Sequence, residues 1–514
     1  MSFFSEGDPM LTQSEAKVSM GSTREGPQQQ LDRVFRVQRE AFRRAPYPSA
    51  EQRRELMKRV PAMLLGNRAR ILAALDADLG GSAHTEGDLF EIIGVVQRAQ
   101  FNVAHIRGWM KPVPKATDPV TQGNSKAYIK YQPKGVVGNM VAWNFPFDIA
   151  LGPTLDALGA GNRVIIKPSE LTPECGRLLS GMIAETFDED QVAVVTGDLD
   201  FAKYFATKPW DHLVYTGGAV AGREVMRAAA ANLVPVTLEM GGRNATVVGR
   251  DKVTDPTSIS VIAGVKTLKR GQVCVTADHC LVPEESLSDF TDAFVAHMQQ
   301  AFGADNAAGA CGIINNRHIA RLTGLVDQAR ESGAQVIQIG QDTTSGSRLM
   351  PFFVVVDPSD DLPLMQKEIF GPILPIKTYR STQDVIDRVN AGDRPLGLYV
   401  FSDDRAFIDE ITEHTQSGGV AVNAIAIQAG MPSMGFGGVG ASGMGRHHGE
   451  EGFREFSNPR GYFERRAGGT FDLIIPPYGA GTRQLIDDVA YGPLVKQLRF
   501  AATTLPKNLM ARFR

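Results

Sequence analysis

The sequence predicts an α/β protein made of two successive units, the first a doubly wound parallel sheet, and three observations carry that expectation. From Gly135 to Glu239 short apolar runs (Val164 to Ile166, Val192 to Val195, Leu213 to Tyr215, Val236 to Leu238) are separated by helix-length stretches. That rhythm belongs to a parallel sheet covered on both faces. A second alternation runs through Ala245 to Val248, Val336 to Ile339, Phe352 to Val356, Leu374 to Thr378 and Leu398 to Phe401, and predicts a separate α/β unit. The chain has 514 residues, 43% hydrophobic and 22% charged, which suffices for more than one core.

The first thirty residues are polar and lack both the basic start and the apolar stretch of a signal peptide, so a disordered extension is expected over 1–30. From Leu31 to about Thr117 apolar residues recur at helical spacing, as in Met63, Leu64, Leu65, Ile71, Leu72 and Leu75, with Arg and Asp on the other face. This opening region is predicted helical. Asp118 to Lys126 reads as a connector, and the alternation Ala127 to Tyr131 reads as a strand. There is no internal repeat and no apolar run of membrane-spanning length.

Composition narrows the function. A net charge of −3, with no basic run interleaved with aromatics, argues against a nucleic-acid partner. Cys175, Cys274, Cys280 and Cys311 show no Cys-x-x-Cys spacing, so neither a zinc ribbon nor a disulfide framework is indicated, and a reducing, cytoplasmic setting is expected. His447 and His448 are adjacent and lack metal-ligand spacing; no metal site is expected.

Chemistry enters with Gly271-Gln272-Val273-Cys274, which follows Glu239-Met240-Gly241-Gly242. A cysteine can attack a carbonyl carbon, and a carboxylate can activate the water that releases the product. The thiol must become a thiolate, and Lys269 and Arg270 offer positive charge just upstream. Taken singly, each feature has a plainer reading: a core cysteine, a glutamate at a strand end, a turn asparagine at Asn144 ahead of Pro146. Gly217 and Gly218 follow a strand and precede a helix, where backbone amides can approach a pyrophosphate, although most such pairs are turns. The glycine-rich stretch 435–445 lacks the Lys-Ser/Thr of a P-loop.

The motifs decide together. Ala-Trp-Asn-Phe-Pro at 142–146, Lys-Pro-Ser-Glu at 167–170, Thr-Gly-Gly at 216–218, Glu-Ile-Phe-Gly-Pro at 368–372 and Phe-Gly-Gly-Val-Gly at 436–440 stand in an order that resembles the aldehyde dehydrogenase superfamily, from about residue 31 to 470. Arg-Gly-Trp-Met at 107–110, Gly-Pro-Ile-Leu-Pro-Ile at 371–376, and Ala-Ser-Gly-Met-Gly at 441–445 with His448-Gly449 resemble its coniferyl aldehyde dehydrogenase and class-three branch. The resemblance implies Cys274 as nucleophile, Asn144 with the Cys274 backbone amide as oxyanion donor, and Glu239 as the base that hydrolyses a thioester. It implies an NAD site at Trp143, Lys167, Glu170, Gly217, Gly218, Glu368 and Phe370. Glu170 favours NAD over NADP because a carboxylate repels a 2′-phosphate, with NADP possible in this branch. Glu239 also favours hydrolysis over acyl transfer to coenzyme A.

Carried over to this chain, the resemblance implies an NAD-binding domain over 31–114 and 134–240, a catalytic domain over 241–457, a β oligomerisation arm over 115–133 and 458–470, and a tail over 471–514. The expected reaction is oxidation of an aromatic or hydrophobic aldehyde, coniferyl aldehyde-like, to the acid, by a homo-oligomer that is a dimer or a tetramer. Aliphatic aldehydes, and a silent NAD-binding or structural role, stay open. Several positions depart from the family pattern. Lys269 stands where an asparagine is usual; it and Arg270 either lower the Cys274 pKa or draw in an anionic aldehyde, or point to solvent. Arg243 replaces a lysine, Gly218 a serine and Gln428 a histidine. The tail carries Lys496, Arg499, Lys507, Arg512 and Arg514 without an acid after Asp488, which leaves a membrane-surface helix or a subunit-contact or gating helix as readings.

Overall fold

A computed structural model describes residues 25–81, 84–118, 121–302, 311–341, 348–466, 469–490 and 493. Sixteen strands form three sheets among these residues. The first large sheet contains β3 (Val136–Met140), β4 (Arg163–Lys167), β5 (Val192–Val194), β6 (His212–Thr216), β7 (Val236–Glu239) and the short β15 (Gly443–Met444). Their order is β15-β7-β6-β3-β4-β5, parallel except at β15. Alternate residues serve opposite faces, as the two-residue period requires. Val164 and Ile166 join the core with Leu155 and Leu179, while Ile165 joins the other with Phe201 and Trp210. Both faces are covered, as expected of a doubly wound sheet.

The second sheet holds β8 (Ala245–Val248), β9 (His279–Pro283), β10 (Gln335–Ile339), β11 (Phe352–Val356), β12 (Ile373–Tyr379), β13 (Gly397–Phe401) and β14 (Gly419–Val422). The order is β10-β11-β12-β9-β8-β13-β14, with β10 antiparallel at the edge. Here too the strands alternate, with Val248, Val282 and Phe401 on one face and Val247, Leu281 and Val400 on the other. A third, antiparallel sheet joins β1 (Val113–Lys115), β2 (Lys126–Pro133) and β16 (Ser457–Glu464).

The opening region is helical over Pro27–Arg44, Ala50–Gly66, Arg68–Leu79 and Gly94–Trp109. Ser49 starts the second helix as a reciprocal cap: its hydroxyl accepts from Gln52 N and the Gln52 side chain accepts from Ser49 N. Four expectations need correction. The extension expected to reach residue 30 is already helical from Pro27, and residues 1–24 lie outside the described residues. The helical region ends in strand β1. Strand β9, central to the second sheet, has no counterpart in the sequence reading. The Arg and Asp residues read as the opposite face include Arg53, Asp78 and Arg98, which are buried at 0%, 7% and 6% exposure because they face partners inside the protein. In the tail, a helix spans Ala480–Val489, and the five basic residues carrying the basic-tail reading, Lys496, Arg499, Lys507, Arg512 and Arg514, lie outside the described residues. No helix among the described residues is long and apolar enough to cross a membrane.

Candidate active site

The first sheet directs its carboxyl edge at a cleft, and the second directs its amino edge at the same place. Beyond β3 the chain carries Trp143 and Asn144; β4 ends at Lys167, three residues before Glu170; β6 is followed by Gly217 and Gly218; β7 ends at Glu239. From the other side, Cys274 lies in the loop before β9, and Glu368 and Phe370 lie just before β12. The strand order reverses at β3, the position where open α/β sheets form ligand crevices. All of these residues line one cavity of about 2170 Å³.

The cysteine loop is tied down by buried polar contacts. Lys269 and Arg270 adopt φ of 44° and 51°, a left-handed conformation that is costly for non-glycine residues and held here by their side chains. Lys269 Nζ donates to Glu91 Oε1 (2.6 Å) and to the Asn144 carbonyl (2.5 Å), and lies 3.8 Å from the Phe145 ring centroid. The other Glu91 oxygen accepts from Phe147 N and Asp148 N. Arg270 donates to the carbonyls of Cys311 and Met350. Gly271 is required, because a Cβ there would lie 2.3 Å from the Gly371 carbonyl oxygen. Gln272 Nε2 donates to the Lys269 and Gly312 carbonyls, and Asn244 Nδ2 donates to the Cys274 and Thr276 carbonyls. Asn144 Nδ2 donates one N–H to the Gln272 carbonyl at 3.1 Å, and an amide nitrogen carries a second.

This geometry corrects both readings of the two cations. Neither points to solvent, and Lys269 is committed to Glu91. The Cys274 thiol is pushed up to about 12, first by burial and then by the negative fields of Glu368 and Glu239. Of the four cysteines it alone is partly exposed.

Glu239 is 3% exposed, and neither carboxylate oxygen has a hydrogen-bond partner. Burial raises its pKa well above the usual carboxylate value, with Glu455 adding to the rise and Arg446 opposing it. His447 Nε2 lies 4.0 Å from Glu239 Oε1. The glycine-rich stretch serves it structurally: β15 pairs Gly443 with Glu239, and a Cβ on Gly443 would meet the Leu238 carbonyl oxygen at 2.2 Å.

On the opposite limb Lys167 Nζ pairs with Glu170 Oε2 at 2.7 Å. Gly218 caps the helix Ala219–Ala230 and has open space where a Cβ would stand. The Trp143 and Phe370 rings meet edge to face at 5.5 Å. Glu368 is pushed up to about 8 by burial and by Asp278. The arrangement offers a thiol, an amide donor and an unpartnered carboxyl group on one cavity, with ribose- and phosphate-type donors on the same cavity.

A model described as the aldehyde dehydrogenase family matches residues 10–461. The chain belongs to the aldehyde dehydrogenase family. It is an oxidoreductase acting on aldehydes. A probable coniferyl aldehyde dehydrogenase of Caulobacter vibrioides is 38% identical over 466 residues, covering 89% of this chain and 96% of that one. A coniferyl aldehyde dehydrogenase of a Pseudomonas species is 39% identical over 445 residues, covering 85% and 91%. Among solved structures, the substrate-bound state of Staphylococcus aureus AldH is similar with a TM-score of 0.82 at 31% identity, covering 88% of this chain and 98% of that one. A Mycobacterium tuberculosis aldehyde dehydrogenase complexed with NAD+ gives a TM-score of 0.76 at 26% identity, covering 85% and 90%.

Within this aldehyde dehydrogenase, sequence reasoning missed Glu91, Arg98 and Asn244. Asn244 directly follows the Gly241-Gly242-Arg243 run, which was the available signal. Arg243 Nε lies 3.5 Å from Asp278, and Gln428 is buried near Gly419 with its side-chain oxygen unpartnered. No cluster of three His, Cys, Asp or Glu able to hold a metal ion occurs among the described residues.

Proposed function

We propose that this enzyme oxidises an aromatic or hydrophobic aldehyde of the coniferyl aldehyde kind to its carboxylic acid, using NAD, with NADP as the alternative. The observation that carries the reading is the convergence of a partly exposed Cys274, the Asn144 amide and an unpartnered Glu239 on one cavity. Similarity to coniferyl aldehyde dehydrogenases supports the substrate class.

Lys167, Glu170, Gly217 and Gly218 fit a dinucleotide. The paired Lys167 and Glu170 at the end of β4 offer a donor and an acceptor to ribose hydroxyls, and Gly218 leaves room for a pyrophosphate at a helix start. Trp143, Glu368 and Phe370 lie on the nicotinamide side. A dinucleotide bound there supplies the hydride acceptor. Cys274 Sγ bonds to the aldehyde carbon as its proton passes to water in the cavity. The free N–H of Asn144 and the Cys274 backbone N–H stabilise the resulting oxyanion. After oxidation the acyl group is a thioester on Cys274, and Glu239 takes a proton from the water that cleaves it. Burial and the fields of Glu368 and Glu239 favour the protonated thiol, so forming the bond requires loss of that proton.

In this reading residues 31–114 and 134–240 bind the cofactor, 241–457 supply the nucleophile, and the sheet over 115–133 and 458–470 pairs subunits in a dimer or tetramer. The exposed Phe463 and the stacked Tyr128 and Tyr462 rings support that last role. The four unpaired cysteines suit a cytoplasmic enzyme. Formation of reduced nicotinamide with NAD or NADP, against cinnamyl, benzyl and straight-chain aldehydes and with Cys274→Ala as control, tests the reading. Cys274-dependent turnover favouring cinnamyl substrates supports it, and preference for straight chains replaces it with the aliphatic alternative.

A further inference from the structure

The cavity has a polar end that the reaction does not use. Arg98 lies on the helix Gly94–Trp109 at 6% exposure, and its Nη1 has no hydrogen-bond partner. Room for the guanidinium comes from Gly152, where a Cβ would stand 1.7 Å from Arg98 Nη1. His448 is 2% exposed, and both of its ring nitrogens are unpartnered. Arg98 and His448 both line the cavity that holds Cys274. Phe436 lies between them: like Cys274 it packs against the cluster of Val273, Val275 and Leu396, and its ring centroid lies 5.6 Å from that of His448. A buried guanidinium N–H and a buried imidazole left without partners cost stability unless another molecule satisfies them.

The surrounding charges define what that molecule presents. Arg98 Nη2 already donates to Asp148 Oδ1 at 3.2 Å. Asp156 lies behind His448, accepting from its backbone N–H at 2.7 Å and from Asn102 Nδ2 at 2.7 Å. Lys269 is matched by Glu91. His447, 4.5 Å away ring to ring, and His448 are both held neutral by burial and by Arg98. The charges of Arg98 and Lys269 are thus both matched by carboxylates. A guanidinium N–H is a donor, and a neutral imidazole has one nitrogen that accepts.

We propose that Arg98 and His448 form a recognition site for an uncharged hydroxyl carried by the substrate away from its aldehyde group, the phenol of an aromatic aldehyde being the group that fits. Arg98 Nη1 donates to the hydroxyl oxygen, and the hydroxyl proton is donated to the unprotonated nitrogen of His448. The proposal rests on the aldehyde-oxidising reading and names the part of the substrate that this chain selects.

The test compares kcat/KM for 4-hydroxycinnamaldehyde, cinnamaldehyde and 4-carboxycinnamaldehyde in wild type, Arg98→Met, Arg98→Lys and His448→Phe. The electronic effect of the hydroxyl is common to all four proteins and cancels between them. In the wild type the hydroxylated aldehyde is preferred, and Arg98→Met or His448→Phe lowers that preference about ten- to a hundredfold, with partial recovery in Arg98→Lys. A purely structural role would lower both substrates alike and leave the ratio unmoved, which overturns the proposal, as does a wild-type preference for the carboxylate. A second measurement is independent of turnover: protection of Cys274 from iodoacetamide by 4-hydroxycinnamyl alcohol or cinnamyl alcohol. Stronger protection by the hydroxylated alcohol in wild type but not in Arg98→Met supports the site even if no aldehyde is oxidised, and equal protection overturns it.

Discussion

Two walls of one cavity treat buried polarity in opposite ways. In the Cys274 loop, Lys269 meets Glu91 and the Asn144 carbonyl, Arg270 meets two carbonyls, and Gln272 and Asn244 each donate twice to backbone oxygens. Elsewhere around the cavity Glu239, Arg98, His447 and His448 are buried as deeply, yet both Glu239 oxygens, Arg98 Nη1 and three imidazole nitrogens have no partner. Satisfied groups in a low-dielectric interior fix a geometry, whereas unsatisfied ones are costly and persist where a bound molecule completes them. In the proposed mechanism the first wall positions the nucleophile, and the second receives water and substrate.

The contrast breaks most sharply at the nucleophile. Cys274→Ala should lower turnover by about four orders of magnitude or more while the fold survives, read by steady-state rate beside thermal unfolding. Glu239→Gln should lower steady-state turnover by about 10²–10⁴-fold but spare a first burst of reduced nicotinamide, since it impairs the release of the acyl group alone. On the satisfied wall, Lys269→Met strands Glu91 as a buried, unpaired carboxylate and should cost about 3–5 kcal/mol in denaturant unfolding. Adding Glu91→Leu should recover much of that loss, which distinguishes a structural pair from a thiol activator.

The smallest effect sharpens the second wall. Burial raises the Glu239 pKa above its unfolded value, so the native state holds the proton to higher pH than the unfolded chain. Stability from this group is complete below the ordinary carboxylate pKa and is lost as pH rises through the raised one. Wild type should therefore lose stability relative to Glu239→Gln as pH climbs through that window, measured by denaturant unfolding at a series of pH values. A parallel pair of curves would mean that Glu239 is solvated.

How much was legible in the sequence follows from the same contrast. Runs such as Val164 to Ile166 and Phe352 to Val356 announce strands because every position is apolar and all but Val356 are buried on one face or the other. Strand β9 did not, since His279 and Pro283 bracket only Cys280, Leu281 and Val282, although all five residues are buried. The motif residues around the cavity were found together because the order of their motifs resembles one family, and the structure places them at the ends of strands that face one cavity. Glu91 and Arg98 were invisible because a charge on an amphipathic helix reads as solvent-facing, and only tertiary packing turns it inward. Lys269 was noticed as a departure, but its partner comes from 178 residues away in the chain.

The most direct test is intact-protein mass spectrometry of Glu239→Gln mixed with NAD and coniferyl aldehyde, alongside Cys274→Ala. A stoichiometric acyl adduct on Cys274, formed with one reduced nicotinamide per subunit and missing from Cys274→Ala, is the predicted result. Continued turnover by Glu239→Gln without an adduct would contradict the assignment of Cys274 as acyl carrier and Glu239 as the base that frees it.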